Sequence, residues 1–112
     1  MSQGQAIESP FACNRGALTA EQWTGHRAVI EQLFKTRQSV RELPDGYALR
    51  LPADDETLLL AARFIMLERR CCPFFDFALE VEREGGPLWL RLSGREGATE
   101  VLRVLRTEFD LA

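Results

Sequence analysis

Apolar positions along the chain follow two periods. From Trp23 onward, Val29, Ile30, Leu33, Phe34 and Val40 recur at helical steps, with His26 on the same stripe. That is the spacing of one buried helix face. Thr19-Ala20-Glu21-Gln22 just before it has the form of a capping box, in which both polar side chains serve backbone amides left open at a helix start. The pattern predicts an amphipathic helix over 20–41, stopped by the turn-forming Pro44-Asp45-Gly46. Tyr47, Leu49 and Leu51 alternate with Ala48 and Arg50, a period of two that predicts a short strand over 47–51. Asp54 then caps a second helix running to about Cys71. Leu58, Leu59, Leu60, Ala61, Ala62, Phe64, Ile65, Met66 and Leu67 make it apolar nearly all round, as for a helix buried on more than one side or at a subunit interface. Pro73 ends it, having no amide hydrogen to continue the ladder.

The period returns to two over Phe75, Phe77, Leu79 and Val81, and again over Leu88, Leu90 and Leu92. These predict strands over 75–83 and 88–92, joined by a tight hairpin at Gly85-Gly86. A two-residue loop there sets Glu80 opposite Arg91, Glu82 opposite Trp89, Val81 opposite Leu90 and Leu79 opposite Leu92. Ser93-Gly94-Arg95-Glu96 reads as a second capping box, opening a last helix with Val101, Leu102, Leu105 and Phe109 on its stripe. The expected fold is α+β: an N-terminal helix plus a split β-α-β-β-α unit, whose three strands form a mixed or antiparallel sheet with the 47–51 and 75–83 strands at its edges. It is a ferredoxin-like sandwich lacking the last strand. Residues 1–17 form an irregular arm and 18–112 a single domain. Trp89 on the sheet face away from the helices calls for a cover, and a second copy of the chain is the expected one, giving a homodimer.

Composition narrows the function classes. Of 112 residues, 46% are hydrophobic and 28% charged, which excludes a disordered chain. A net charge of −3 supplies no basic field for nucleic acid. The longest apolar run, 58–67, is interrupted by Arg63 and too short to cross a bilayer, and Met1 to Pro10 lacks the basic start and apolar run of an export signal. A cytoplasmic protein with no membrane or nucleic-acid partner is expected.

Chemistry concentrates in few residues: three cysteines and one histidine. Adjacent Cys71 and Cys72 close only a strained ring with each other, which argues against a bridge between them, and Cys13 is far away in sequence. In a reducing compartment all three are expected as thiols or metal ligands. In Glu68-Arg69-Arg70-Cys71-Cys72-Pro73-Phe74, Glu68 lies one helical turn before both thiols and can share their face. Thiolates favour zinc and other thiophilic metals or metalloids, and Cys13, His26, Cys71 and Cys72 form a candidate ligand set with Glu68 behind it. Against this, cysteines beside Leu67, Phe74, Phe75 and Phe77 serve equally well as small core residues. A histidine on an apolar stripe is ordinarily a core residue with one hydrogen bond, and Glu68 could simply pair with an arginine on the helix surface.

The strings Gly46-Tyr47-Ala48-Leu49-Arg50-Leu51, Glu68-Arg69-Arg70-Cys71-Cys72-Pro73-Phe74-Phe75-Asp76-Phe77 and Gly86-Pro87-Leu88-Trp89-Leu90-Arg91-Leu92, with Ala17-Leu18-Thr19 and His26-Arg27, resemble a family of small bacterial proteins with an ERRCCPF-type double-cysteine motif. The resemblance spans nearly the whole chain and implies an association with metal- or stress-responsive regulation; it implies no activity. Three functions are therefore expected of the sequence. The first is binding of a soft metal or metalloid without turnover. The second is a structural or interaction module whose thiols pack in the core. The third is a thiol redox protein with Cys72 as nucleophile and Glu68 as proton acceptor.

Overall fold

The computed structural model describes residues 14–95. A short 3-10 turn, Arg15–Ala17, leads into helix α1, Ala20–Thr36. Strands β1, Ser39–Leu43, and β2, Gly46–Leu51, form a hairpin. Helix α2, Asp55–Cys71, then returns the chain to strands β3, Phe75–Val81, and β4, Leu88–Gly94. The four strands make one antiparallel sheet in the order β1-β2-β4-β3.

Both helices start where the sequence places them. The Thr19 hydroxyl accepts the Gln22 amide and the Gln22 side chain accepts the Thr19 amide, each at 3.0 Å. Asp54 accepts the Thr57 amide at 2.7 Å. Hydrogen bonds from Thr57, the backbone one foremost, hold the Asp54 carboxyl below its usual range.

α1 ends at Thr36, short of the expected residue 41, because residues 39–43 belong to the sheet. The last carbonyls of α1 are satisfied locally, with Thr36 Oγ1 donating to Gln32 and Arg37 donating to the Phe34 carbonyl. Pro44-Asp45 is consequently a hairpin loop between paired Leu43 and Gly46, not a helix stop. The β1 strand gives the sheet four strands instead of three and removes β2 from the edge. In a ferredoxin-like sandwich the final strand flanks the first; here a strand that precedes it takes that side.

The β3–β4 register also differs from the expected one, by two residues. Val81 faces Leu88, Leu79 faces Leu90 and Phe77 faces Leu92. A wider connection causes this, with Glu82 donating its amide to the Pro87 carbonyl at 3.3 Å and Glu84 and Gly85 at φ of 59° and 72°. A shift of two preserves the faces of the sheet, so the charge matches survive as diagonals. Glu80 still pairs with Arg91, and Glu82 accepts the Trp89 indole N–H at 2.6 Å. With the Arg41 guanidinium 4.5 Å from its ring centre, Trp89 is covered by its own chain and gives no argument for a second subunit. Ser93 lies within β4, paired with Gly46 and Asp76, so it opens no helix. The remainder of the last helix expected after this capping box, with Val101, Leu102, Leu105 and Phe109, lies outside the described residues.

The core lies between the helices and one sheet face: Val29, Ile30, Leu33 and Phe34 of α1, Ala61 and Phe64 of α2, and Leu49, Leu51, Leu88 and Leu90 of the sheet. α2 is buried on one side rather than all round, since Leu59 and Met66 are exposed. No helix among the described residues is long and apolar enough to cross a membrane.

Close packing of β2 on β4 needs a glycine at one position. A Cβ on Gly46 would stand 1.9 Å from the Leu92 carbonyl oxygen and 2.7 Å from Ser93 Cα, both backbone atoms. Gly46→Ala should therefore destabilise the fold by about 3 kcal/mol in urea unfolding. Gly25→Ala, on α1 where a Cβ meets nothing within 4 Å, should stabilise it by about 0.8 kcal/mol. Equal effects would show that strand approach does not limit the site.

Candidate functional site

His26 is fully buried on α1. Its imidazole is stacked between Trp23, with ring centres 5.6 Å apart, and Phe64 of α2, at 5.8 Å. Both neighbours lie within 24° of parallel, so the two rings fix the plane in which the imidazole nitrogens can reach a partner. That partner is Glu68, one turn from the end of α2: His26 Nε2 lies 2.6 Å from Glu68 Oε1. His26 Nδ1 is buried and makes no hydrogen bond among the described residues. Of the two neutral tautomers, the one with its hydrogen on Nε2 donates to the carboxylate, whereas the other would bury an unpaired N–H. Nε2–H is therefore the favoured form.

The other carboxylate oxygen faces sulfur. Glu68 Oε2 lies 3.6 Å from Cys72 Sγ. Cys72 is the C-cap of α2, its amide donating to the Glu68 carbonyl at 2.7 Å, and this helical bond holds the sulfur one turn below the carboxylate. Pro73 follows, and the chain turns into β3. Cys72 is disulfide-bonded and Cys71 is not. A disulfide sulfur has no hydrogen to donate, so in this state the approach to Oε2 is a contact; as a thiol, Cys72 would donate to that oxygen.

The candidate residues thus fare differently. His26, Glu68 and Cys72 meet around one buried carboxylate, and Glu68 stands at the centre of the group, not behind it or on the surface beside an arginine. Arg69 and Arg70 are exposed, and among the described residues His26 is the hydrogen-bond donor to that carboxylate while Cys72 is disulfide-bonded. Cys71 is a buried thiol in the hydrophobic core. Cys13 lies outside the described residues. Its neighbour Asn14 donates its amide to the Cys71 carbonyl at 2.6 Å, which ties Asn14 to the C-terminus of α2. Among the described residues, with Cys72 in its disulfide, no three His, Cys, Asp or Glu side chains form a set able to hold a metal ion. The disulfide at Cys72 corrects the expectation that every cysteine is a thiol or a metal ligand. The stacking walls, Trp23 and Phe64, were legible only as core positions. Three- and four-residue spacing could have drawn Trp23 towards His26, but nothing local links Phe64 to them.

No protein-family model, curated protein or solved structure matches the chain.

Proposed function

We propose that the protein is a thiol–disulfide protein whose working group is Cys72, with Glu68 and His26 handling the hydrogen of its sulfur. The observation that supports this is a disulfide-bonded sulfur, 0% exposed, 3.6 Å from a carboxylate oxygen that a buried histidine anchors. The chain has three cysteines, Cys71 is outside the bond, and Asn14 is tied to the Cys71 carbonyl. Cys13 is the chain's remaining cysteine and is taken as the redox partner of Cys72.

Because Cys72 Sγ is buried, the proposed entry point is the partner sulfur: a dithiol reductant attacks it and forms a mixed disulfide, while Cys72 leaves as the thiolate and takes up a proton. The second reductant thiol releases Cys13, so the reductant ends as a disulfide and its two hydrogens end on Cys13 and Cys72. On Cys72 the new S–H donates to Glu68 Oε2. In the cytoplasm a thiol pool keeps ordinary disulfides open, so a bond here marks an oxidised state of a cycle, not a permanent staple.

Alkylation of unfolded, unreduced protein should mark one cysteine, Cys71, and three after dithiothreitol, with the Cys13 and Cys72 peptides joined only before reduction. Glu68→Gln keeps an oxygen for His26 but removes the acceptor for Cys72. It should make the midpoint potential more negative by about 20 mV, the equivalent of one hydrogen bond. Three alkylated cysteines in oxidant-treated protein, or an unchanged potential in the variant, would sink the proposal.

A further inference from the structure

The reduced form of this centre carries a donor set that the oxidised form lacks, and we infer that it binds a thiophilic divalent cation, zinc being the type case, through Cys72 Sγ, both Glu68 carboxylate oxygens and His26 Nε2. This rests on the redox reading above, because the disulfide occupies the sulfur that would complete the set. With Cys72 oxidised, the group retains two donors, His26 and Glu68, already bonded to each other at 2.6 Å. Opening the disulfide adds the soft donor.

Distances favour the assignment. Zinc bonds of about 2.3 Å to sulfur and about 2.1 Å to oxygen, at a tetrahedral angle, place the two donors ~3.6 Å apart. Cys72 Sγ and Glu68 Oε2 are 3.6 Å apart without any adjustment. Imidazole nitrogen and carboxylate oxygen on the same ion would stand ~3.4 Å apart, so the 2.6 Å pair must open by about 0.8 Å as the ion replaces the hydrogen between them. Charge favours it as well. One thiolate and one carboxylate neutralise a divalent ion, which a buried, dry site requires.

Binding is balanced by one proton. The Cys72 thiol loses its hydrogen to solvent, and the His26 hydrogen moves from Nε2 to Nδ1. Nδ1 has no partner among the described residues, and ligating histidines ordinarily have one there. The affinity is accordingly lower than that of a closed structural zinc site, as suits an ion taken up and released.

Zinc chloride titrated against a chromophoric chelator tests this on oxidised and on dithiol-reduced full-length protein. The reduced protein should bind one zinc at least 100-fold more tightly than the oxidised protein and release about one proton. Cobalt(II) in the reduced protein should give a sulfur-to-metal charge-transfer band that Cys72→Ala abolishes. Glu68→Gln should weaken zinc at least tenfold while the protein stays folded, and Cys71→Ala should not change it. Reduced, folded protein with the expected thiols but no zinc overturns the site and leaves the redox reading intact. Equal affinity in both redox states, or in Cys72→Ala, overturns it too. If Cys72 never forms a disulfide, the redox reading fails, whatever zinc does.

Discussion

Phe64→Ala should cost about 4 kcal/mol of folding free energy, the range for truncating a large buried aromatic side chain. Phe64 is 1% exposed and is the ring on which the two helices and the sheet converge. Its centre lies 5.8 Å from His26, 6.3 Å from Phe34 and 6.2 Å from Phe77, contacts to α1 and β3 that alanine cannot reach. The gap left behind has helices on one side and sheet on the other, so it cannot collapse from one direction, and the cavity cost adds to the lost burial. Phe64→Leu keeps most of the volume and should cost about 1 kcal/mol. Urea unfolding measures both, and an alanine variant within about 1.5 kcal/mol of the parent would mean that the helices and the sheet close over the gap. The same truncation removes one wall from His26, so it should also loosen the ring's hold on Glu68.

Local chemistry was the legible part of this chain. Thr19 and Asp54 announced the helix starts because a cap needs only its own next three residues. Glu68 announced its approach to Cys72 because both lie on one helix turn. Where two periods coincide, the pattern loses its power to discriminate. Val40 falls on the helical stripe of Leu33 and Phe34, but it is equally suited to the β1 position opposite Leu49, and it packs on the core from there. Nothing local separates a helix ending at 41 from one ending at 36. The β3–β4 register slipped for a related reason: a shift of two exchanges one apolar pair for another and leaves each face unchanged, so only the loop geometry decides. His26 stood out by its place on an apolar stripe, but its partner is 42 residues away, and sequence carries no distance. The disulfide at Cys72 is hidden in the same way, since no local spacing encodes a long-range pairing.

His26→Ala should cost as much as the loss of Phe64, about 4 kcal/mol, and for a different reason. Removing one member of a buried pair leaves the other without compensation, at a cost of about 3 to 5 kcal/mol. Glu68 has a side chain 9% exposed and His26 is 0% exposed, so water cannot replace the lost donor cheaply. Glu68→Gln still presents an oxygen to Nε2–H and should cost only about 1 kcal/mol. The double variant His26→Ala/Glu68→Ala removes donor and acceptor together, and so should be less destabilising than the two single alanine changes added, by at least 1 kcal/mol. Unfolding should be followed separately in oxidised and reduced protein, because the disulfide changes the reference state. Additive alanine effects would show that His26 contributes only its stacked ring. Coupling larger in the reduced protein would show that the thiol joins the pair. That outcome is expected, because only as a thiol does Cys72 supply Glu68 with a second hydrogen bond, making the histidine, the carboxylate and the sulfur one cooperative unit.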